Sequence, residues 1–404
     1  MIALEFIGRD WIVAERTFGP DLYAGTSGVA LFLAHLHERS GERIHRLTAM
    51  GALHQAWSRR ESLAAFIRGS FYSGLLGVAY ARLEAGRLFG DEHLVESALA
   101  AVESLMDSPV SPQALDVVTG SAGAIPVLLE INRRHPRDWL IELALRHAEN
   151  LLDTARRQED GWSWRTVEMA TRDNLTGFSH GAAGMATALL ELNRVVPDAR
   201  FRTAAENAFH HESKWFDPAQ GNWADLRIFD SVPVRPDLPP PCSIAWCHGA
   251  PGIALSRLRA YELLGEPSRR TEAETAIATT AFSLEQMLVS GQGGFSLCHG
   301  HAGNAEALLY AAEILDPSKR SLCETVGRAG IARYEQSERP WPCGVLNGGE
   351  TPGLMLGLAG IGYFFLRLHD PMGTPSVMII RPPAGVARPP DSETGQSAAP
   401  AAAG

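Results

Sequence analysis

CHGAPGIALSRL, starting at Cys247, and CHGHAGNAEALL, starting at Cys298, are two copies of one short element. Each sets a Cys-His pair directly before a Gly-x-x-Gly step and then continues in small and apolar residues. Outward from these two, the same step and its apolar continuation recur along the chain. They read YAGTSGVALFL from Tyr23, YSGLLGVAYAR from Tyr72, VTGSAGAIPVLL from Val118, SHGAAGMATALL from Ser179 and MLGLAGIGYFFL from Met355. The seven first glycines are Gly25, Gly74, Gly120, Gly181, Gly249, Gly300 and Gly357, spaced 46 to 68 residues apart. Self-similarity at such a period marks a repeat architecture, and the spacing holds two helices with their connections.

The segments between the elements supply the second helix. DEHLVESALAAVESLMDS from Asp91 and WLIELALRHAENLLDTARR from Trp139 carry apolar residues at steps of three and four, and read as amphipathic helices. The helix that starts at each Gly-x-x-Gly is small and apolar nearly all round, which suits burial on most sides. Seven inner helices wrapped by seven amphipathic outer ones satisfy both patterns. The expected fold is therefore all-α, an α/α toroid of about seven helical-hairpin repeats. Glycine at each loop-to-helix junction permits φ > 0 and close backbone approach. It also leaves helix N-terminal N–H groups facing the space that the junctions surround, so one face of the ring would carry one cavity. The plainer role for most of the glycines is tight packing of the inner helices.

Two stretches break the rhythm. Residues 211–246 include FDPAQGNWADLR and the proline-rich PVRPDLPPPCSIAW, a loop placed to line the cavity mouth. Residues 335–353 form a second irregular segment. The toroid is expected to span residues 1–380, and the Pro/Ala-rich residues 381–404 to form a disordered tail.

Bulk properties narrow the functional classes. A net charge of −10 and a pI near 5.8 argue against the basic face of a nucleic-acid binder and against docking to an anionic membrane through a basic patch. No stretch is long and apolar enough to span a bilayer. The N-terminus lacks the basic-then-apolar layout of a signal peptide, so the expected location is cytoplasmic. Five cysteines, at 242, 247, 298, 323 and 343, are too few and odd in number for a secreted disulfide scaffold. In a reducing compartment, cysteines in glycine-rich loops are metal or catalytic candidates.

Aligned on the first glycine, only four consecutive repeats carry reactive groups. Repeat three has Asp116 four positions before it, and repeat four has His180 one before. Repeat five has Cys247 and His248, and repeat six has Cys298 and His299, at two and one before. Repeats one, two and seven have Tyr23, Tyr72 and Met355 at the cysteine position. Two Cys-His-Gly triplets in neighbouring units suggest zinc. Cys298 and His299 would diverge by about 100° in a helix, so they share an ion only from the loop just before it. Cys247 can then reach across from the adjacent junction, and three protein ligands leave an open fourth position, as in catalytic zinc. The bland alternative for each cysteine is a small buried hydrophobe. His248 is equally a structural or supporting histidine, and Cys242, Cys323 and Cys343 fit packing or surface roles. The direction His301 faces is not readable.

The strings DVVTGSAG, GFSHGAAG, AWCHGAPG, FSLCHGHAGN, TPGLMLGLAGIGY and PSVMIIRPP together resemble the lanthionine synthetase C-like cyclases, closest to the cyclase domains of bifunctional lanthipeptide synthetases. The resemblance covers Tyr23 to about Pro383. It implies one zinc on Cys247, Cys298 and His299, with His180 and Asp116 as acid/base candidates. The implied reaction is Michael-type addition of a peptide cysteine thiol to dehydroalanine or dehydrobutyrine, giving a (methyl)lanthionine thioether ring on a dehydrated precursor peptide. Ser243 departs from the pattern, because some stand-alone members carry an arginine four residues before the first zinc cysteine. The chain also starts almost at its first repeat, so dehydration is expected from a separate dehydratase. The same zinc site would serve addition of glutathione or another thiol to dehydrated residues, and a non-catalytic peptide-binding scaffold is a third reading.

Overall fold

The computed structural model describes residues 17–229, 238–345 and 349–382, with the backbone of 2–7 and 10–15. An α-helix follows at once on each of the seven first glycines. In chain order the helices pair as α1 (Thr26–Ser40) with α2 (Arg43–Arg59), and α3 (Leu75–Phe89) with α4 (Glu92–Glu103). The next pairs are α5 (Ser121–Arg134) with α6 (Asp138–Thr154), and α7 (Ala182–Val195) with α8 (Ala199–Lys214). Then come α9 (Ala250–Leu264) with α10 (Pro267–Ser290), α11 (His301–Ile314) with α12 (Arg320–Gly330), and α13 (Leu358–His369). Successive odd-numbered helices pack on one another and α13 returns to α1, so they close an inner ring with the even-numbered helices outside. This is the expected α/α toroid.

The burial patterns follow the sequence periods. In α3 every residue from Leu75 to Gly86 is buried. In α6 the buried set is Leu140, Leu143, Ala144, His147, Ala148, Leu151 and Leu152, one helical stripe. Asp91 caps α4 by accepting from the Leu94 N–H at 3.2 Å, which satisfies one of the first-turn donors.

Two expectations need correction. Among the described residues the outer layer has six helices rather than seven, because nothing helical follows α13. The chain turns at Asp370–Thr374 and comes back as an irregular, bent segment. There the Tyr72 hydroxyl donates to the Val377 carbonyl (2.5 Å) and Trp246 Nε1 to the Met378 carbonyl (2.9 Å). Val377, Met378, Ile379 and Ile380 are all buried in the main core, so the segment fills the axis of the ring. Second, positive φ is not what the junctions need. Only Gly249 has it, at 88°, whereas the other six first glycines have negative φ. Space is the real demand. A Cβ on the second glycine of any element would collide with the carbonyl oxygen six residues earlier, as Gly252 with Trp246 and Gly303 with Leu297.

Helical periodicity gave no sign of three short antiparallel ribbons. They are β1–β2 (Ile2–Ile7, Asp10–Glu15), β3–β4 (Arg156–Gln158, Gly161–Ser163) and β5–β6 (Phe216–Asp217, Asn222–Trp223). No helix among the described residues is long and apolar enough to cross a membrane. At the start of the proposed tail, Arg381 stacks on Tyr310 and pairs with Glu313. Residues 383–404 lie outside the described residues.

Candidate metal centre

A belt of backbone hydrogen bonds stitches the junctions together. Val117 N–H donates to Ser179 O (3.0 Å), Ser179 N–H to Cys247 O (3.3 Å), and Cys247 N–H to Cys298 O (3.4 Å). The belt continues from Cys298 N–H to Met355 O, Met355 N–H to Tyr23 O, and Tyr23 N–H to Tyr72 O, each at 2.9 Å. Apart from Val117, every member stands two residues before its first glycine. The belt thus converts a shared sequence register into neighbouring side chains.

The ligand atoms of Cys247, Cys298 and His299 lie within 4.8 Å of one another, the one such Cys/His group among the described residues. Cys298 is buried, Cys247 half-buried and His299 exposed. His299 Nε2 donates to the Gly344 carbonyl at 2.9 Å. That bond fixes the tautomer and leaves the Nδ1 lone pair for a metal. Donor pairs around a tetrahedral zinc, with bonds of about 2.0–2.3 Å, stand about 3.3–3.8 Å apart, a spacing comparable to the 4.8 Å within which the three ligand atoms lie. Two thiolates and one imidazole with a fourth position open suit zinc. Contact between the sulfurs pulls the Cys247 thiol below its ordinary value, against burial and with help from Arg227 and His180. The same contact and burial hold Cys298 well above.

His180 and Asp116 meet beside this group. His180 Nδ1–H donates to Asp116 Oδ2 at 2.6 Å. Asp116 Oδ1 accepts from the Thr119 N–H (2.6 Å) and hydroxyl (2.9 Å), so both carboxylate oxygens are engaged. Asp116 is buried, while the His180 side chain is 28% exposed. Burial disfavours the imidazolium, but the Asp116 carboxylate outweighs it and raises His180 above its ordinary value. The arrangement leaves Nε2 as the nitrogen that can exchange protons with a ligand.

The remaining sequence candidates sit apart from the three donors. His248 faces His180, with ring centroids 5.9 Å apart, and burial pushes it down to about 3, so it is neutral. His301 turns away, its Nε2 bonded to the Gln292 carbonyl at 2.9 Å. Cys323 is buried in α12, its thiol donating to the Ala305 carbonyl. Cys343 contacts the Thr351 backbone. Cys242 is bridged to Ala224.

Three residues that sequence reasoning passed over belong to the site's surroundings. The Tyr23 hydroxyl lies beside the Cys298 sulfur. Its position in the cysteine register was a usable signal. Ser243 Oγ donates to Asp225 Oδ2 at 2.7 Å, and Asp225 in turn holds Arg227. No motif marks Asp225 or Arg227, which only tertiary pairing brings here.

Comparison with known proteins follows the geometry. Residues 17–379 match the family model described as Lanthionine synthetase C-like protein. The chain is 23% identical over 387 residues to the Lacticin 481/lactococcin biosynthesis protein LcnDR2 of Lactococcus lactis subsp. lactis, covering 91% of this chain and 37% of that one. It therefore spans little more than a third of that relative's length. It is 23% identical over 322 residues to the Nisin biosynthesis protein NisC of the same organism, covering 74% and 75%. It is 22% identical over 376 residues to the Glutathione S-transferase LANCL1 of Danio rerio, covering 86% and 82%. Among solved structures, nisin cyclase superposes with a TM-score of 0.68 at 18% identity, covering 89% of this chain and 91% of that one, which shows a common fold. On the strength of a match running nearly from end to end, the chain belongs to the lanthionine synthetase C-like family.

Proposed function

We propose that the chain is a zinc-dependent lanthipeptide cyclase. Its reaction is addition of a cysteine thiol of a dehydrated precursor peptide to a dehydroalanine or dehydrobutyrine of the same peptide. The observation that carries this reading is the convergence of Cys247, Cys298 and His299 beside the His180–Asp116 pair. The names of the nisin and lacticin relatives support the substrate class. A dehydratase has to act first, because the acceptor is a dehydrated residue. All five cysteines are free, in keeping with a reducing, cytoplasmic setting.

A free thiol titrates near ~8.5, and zinc on these three ligands would hold the peptide thiol deprotonated at neutral pH. His180 serves as the general acid. Asp116 orients its ring through Nδ1 and favours the imidazolium, so Nε2–H is available to protonate the α-carbon after sulfur attack. The rim formed by His299 and the edge of His180 is open to solvent, as access for a peptide requires.

Two measurements test the reading. Zinc analysis of the purified protein should give one ion per chain, and Cys298→Ala should lose it. Thioether formation on a peptide carrying one dehydroalanine and one cysteine should require zinc and fall sharply in His180→Ala. A zinc-free wild type, or ring formation no faster than in buffer, would remove the proposal. The name of the Danio rerio relative motivates one control, the same acceptor with glutathione as the thiol. Faster addition of glutathione than ring closure would make the chain a transferase instead.

A further inference from the structure

Residues 222–228 run extended between two partners. Asp225 N–H donates to Pro241 O at 2.7 Å on one side. On the other, Ile228 N–H donates to Ala170 O (3.0 Å) and Arg172 N–H to Leu226 O (2.8 Å). Side chains of extended backbone alternate between faces. Ala224 and Leu226 enter a small apolar cluster with Leu175. Asp225 and Arg227 take the opposite face. There Asp225 meets Ser243, four residues before Cys247, and acts on the charge of His248.

Asp225 grips Arg227 with both oxygens. Arg227 Nε donates to Oδ1 at 2.9 Å and Nη2 to Oδ2 at 2.6 Å. The carboxylate is 6% exposed and the arginine side chain 25%, so a buried clamp holds a guanidinium that stays partly open to solvent and lies over the Phe229 ring. A guanidinium carries five N–H donors, and the clamp uses two. Through Asp225 and Ser243 the guanidinium is tied to the loop that leads into Cys247, and its charge is felt at Cys247, Cys298 and His180. Asp225 is the positioning residue for the guanidinium, and Ser243 for Asp225.

We propose that Arg227 is a catalytic residue that donates N–H bonds to the acceptor carbonyl oxygen as that oxygen becomes an enolate. The inference rests on the cyclase reading. In that step a sulfur lone pair forms the S–Cβ bond. The Cα=Cβ π pair shifts to the Cα–C bond, and the carbonyl π pair moves onto oxygen. Collapse of the enolate restores the carbonyl and Cα takes a proton from His180. The sum is addition of S–H across C=C, with no oxidant or reductant. Negative charge grows on oxygen in a site that already holds two thiolates and the attacking sulfur. Donors fixed in advance at that oxygen are the direct remedy, and losing one such donor elsewhere lowers kcat by roughly 100- to 1000-fold.

The test uses the zinc-loaded chain and the one-dehydroalanine, one-cysteine peptide. Arg227→Ala is expected to keep its zinc and its KM and to lose roughly 100-fold in kcat, with a lowered melting temperature because buried Asp225 loses its partner. Added guanidinium chloride should restore part of the rate in this variant, which a purely structural role would not permit. The unreactive peptide with alanine in place of dehydroalanine should bind wild type and Arg227→Ala equally by calorimetry, since no enolate forms. Unchanged kcat, loss of zinc, or weaker binding of the alanine peptide would each overturn the assignment. A wild type that binds zinc but forms no ring would sink the cyclase reading and this role together. A full-speed Arg227→Ala would sink this role alone.

Discussion

Asp116 accepts twice from Thr119, so its free edge is already aimed when His180 leans on it. Replacing it with asparagine keeps the shape and removes the charge. Burial of His180 would then be opposed only by the charge of Cys247, and the His180 value should drop instead of standing above the ordinary one. The acid form of His180 would be lost at lower pH, so the alkaline limb of kcat in Asp116→Asn should move to lower pH. The wild-type pair also contributes stability that is full below the unfolded value near ~6.5 and is lost as pH rises through the raised folded value. Titration of the His180 ring by NMR in the metal-free protein checks the shift without turnover. An unmoved ring would show that Asp116 does not govern it. At this scale, legibility followed the repeat register. Asp116, His180, Cys247, Cys298 and His299 stand at fixed offsets from repeated glycines. Arg227 was hidden because its neighbours come from segments 170–172 and 241–243, which no local pattern links.

The inner helices start where the glycines said they would, because the second glycine of each element must let the helix pass within contact of a carbonyl. Gly303→Ala in α11 would drive a methyl group into the Leu297 carbonyl, directly ahead of Cys298 and His299. Overpacking of this kind costs about 1–3 kcal/mol or more, and the shift should also weaken zinc binding. Gly51 in α2 has open space around its Cβ direction and helical backbone. Gly51→Ala should therefore stabilise by about 0.4–1 kcal/mol. Urea unfolding of the two variants should give opposite signs. The α5–α6 pair carries a pH dependence of its own. His147 on α6 faces Ser121 Oγ at 3.0 Å, and burial pushes it down to about 4. The unfolded chain takes up its proton first, so stability should fall by about 1.4 kcal/mol per pH unit from pH ~6.5 towards 4. His147→Gln should flatten that slope. His35, pushed to about 4 by burial, adds a second slope that the variant keeps. Ribbons β3–β4 and β5–β6 were not legible because strands of two or three residues are too brief for any period to register.

At the scale of the whole molecule, seven inner helices leave an axis to be filled, and the chain fills it with its last described segment. Val377, Met378, Ile379 and Ile380 read in the sequence only as an apolar end of the family pattern. Their destination depends on Tyr72 in repeat two and Trp246 in repeat five, on different sides of the ring. The Tyr72–Val377 bond joins residues 305 apart. An open solenoid tolerates local damage because each repeat contacts only its neighbours. Here one segment contacts distant repeats at once, so damage to it should be felt everywhere. Met378 is fully buried, and Met378→Ala should cost about 2–5 kcal/mol. Tyr72→Phe leaves the Val377 carbonyl without its donor and should cost about 1–3 kcal/mol. Both act on one segment, so the double variant should deviate from additivity by at least about 0.5 kcal/mol. The transition should stay single, with near-ultraviolet and far-ultraviolet circular dichroism moving together. The proposed zinc would tie repeats five and six through Cys247, the residue after Trp246, and added zinc should then recover part of the lost midpoint by mass action. Two separated transitions in Met378→Ala, one of them zinc-independent, would mean that the repeats unfold piecemeal and that the segment covers the ring without unifying it.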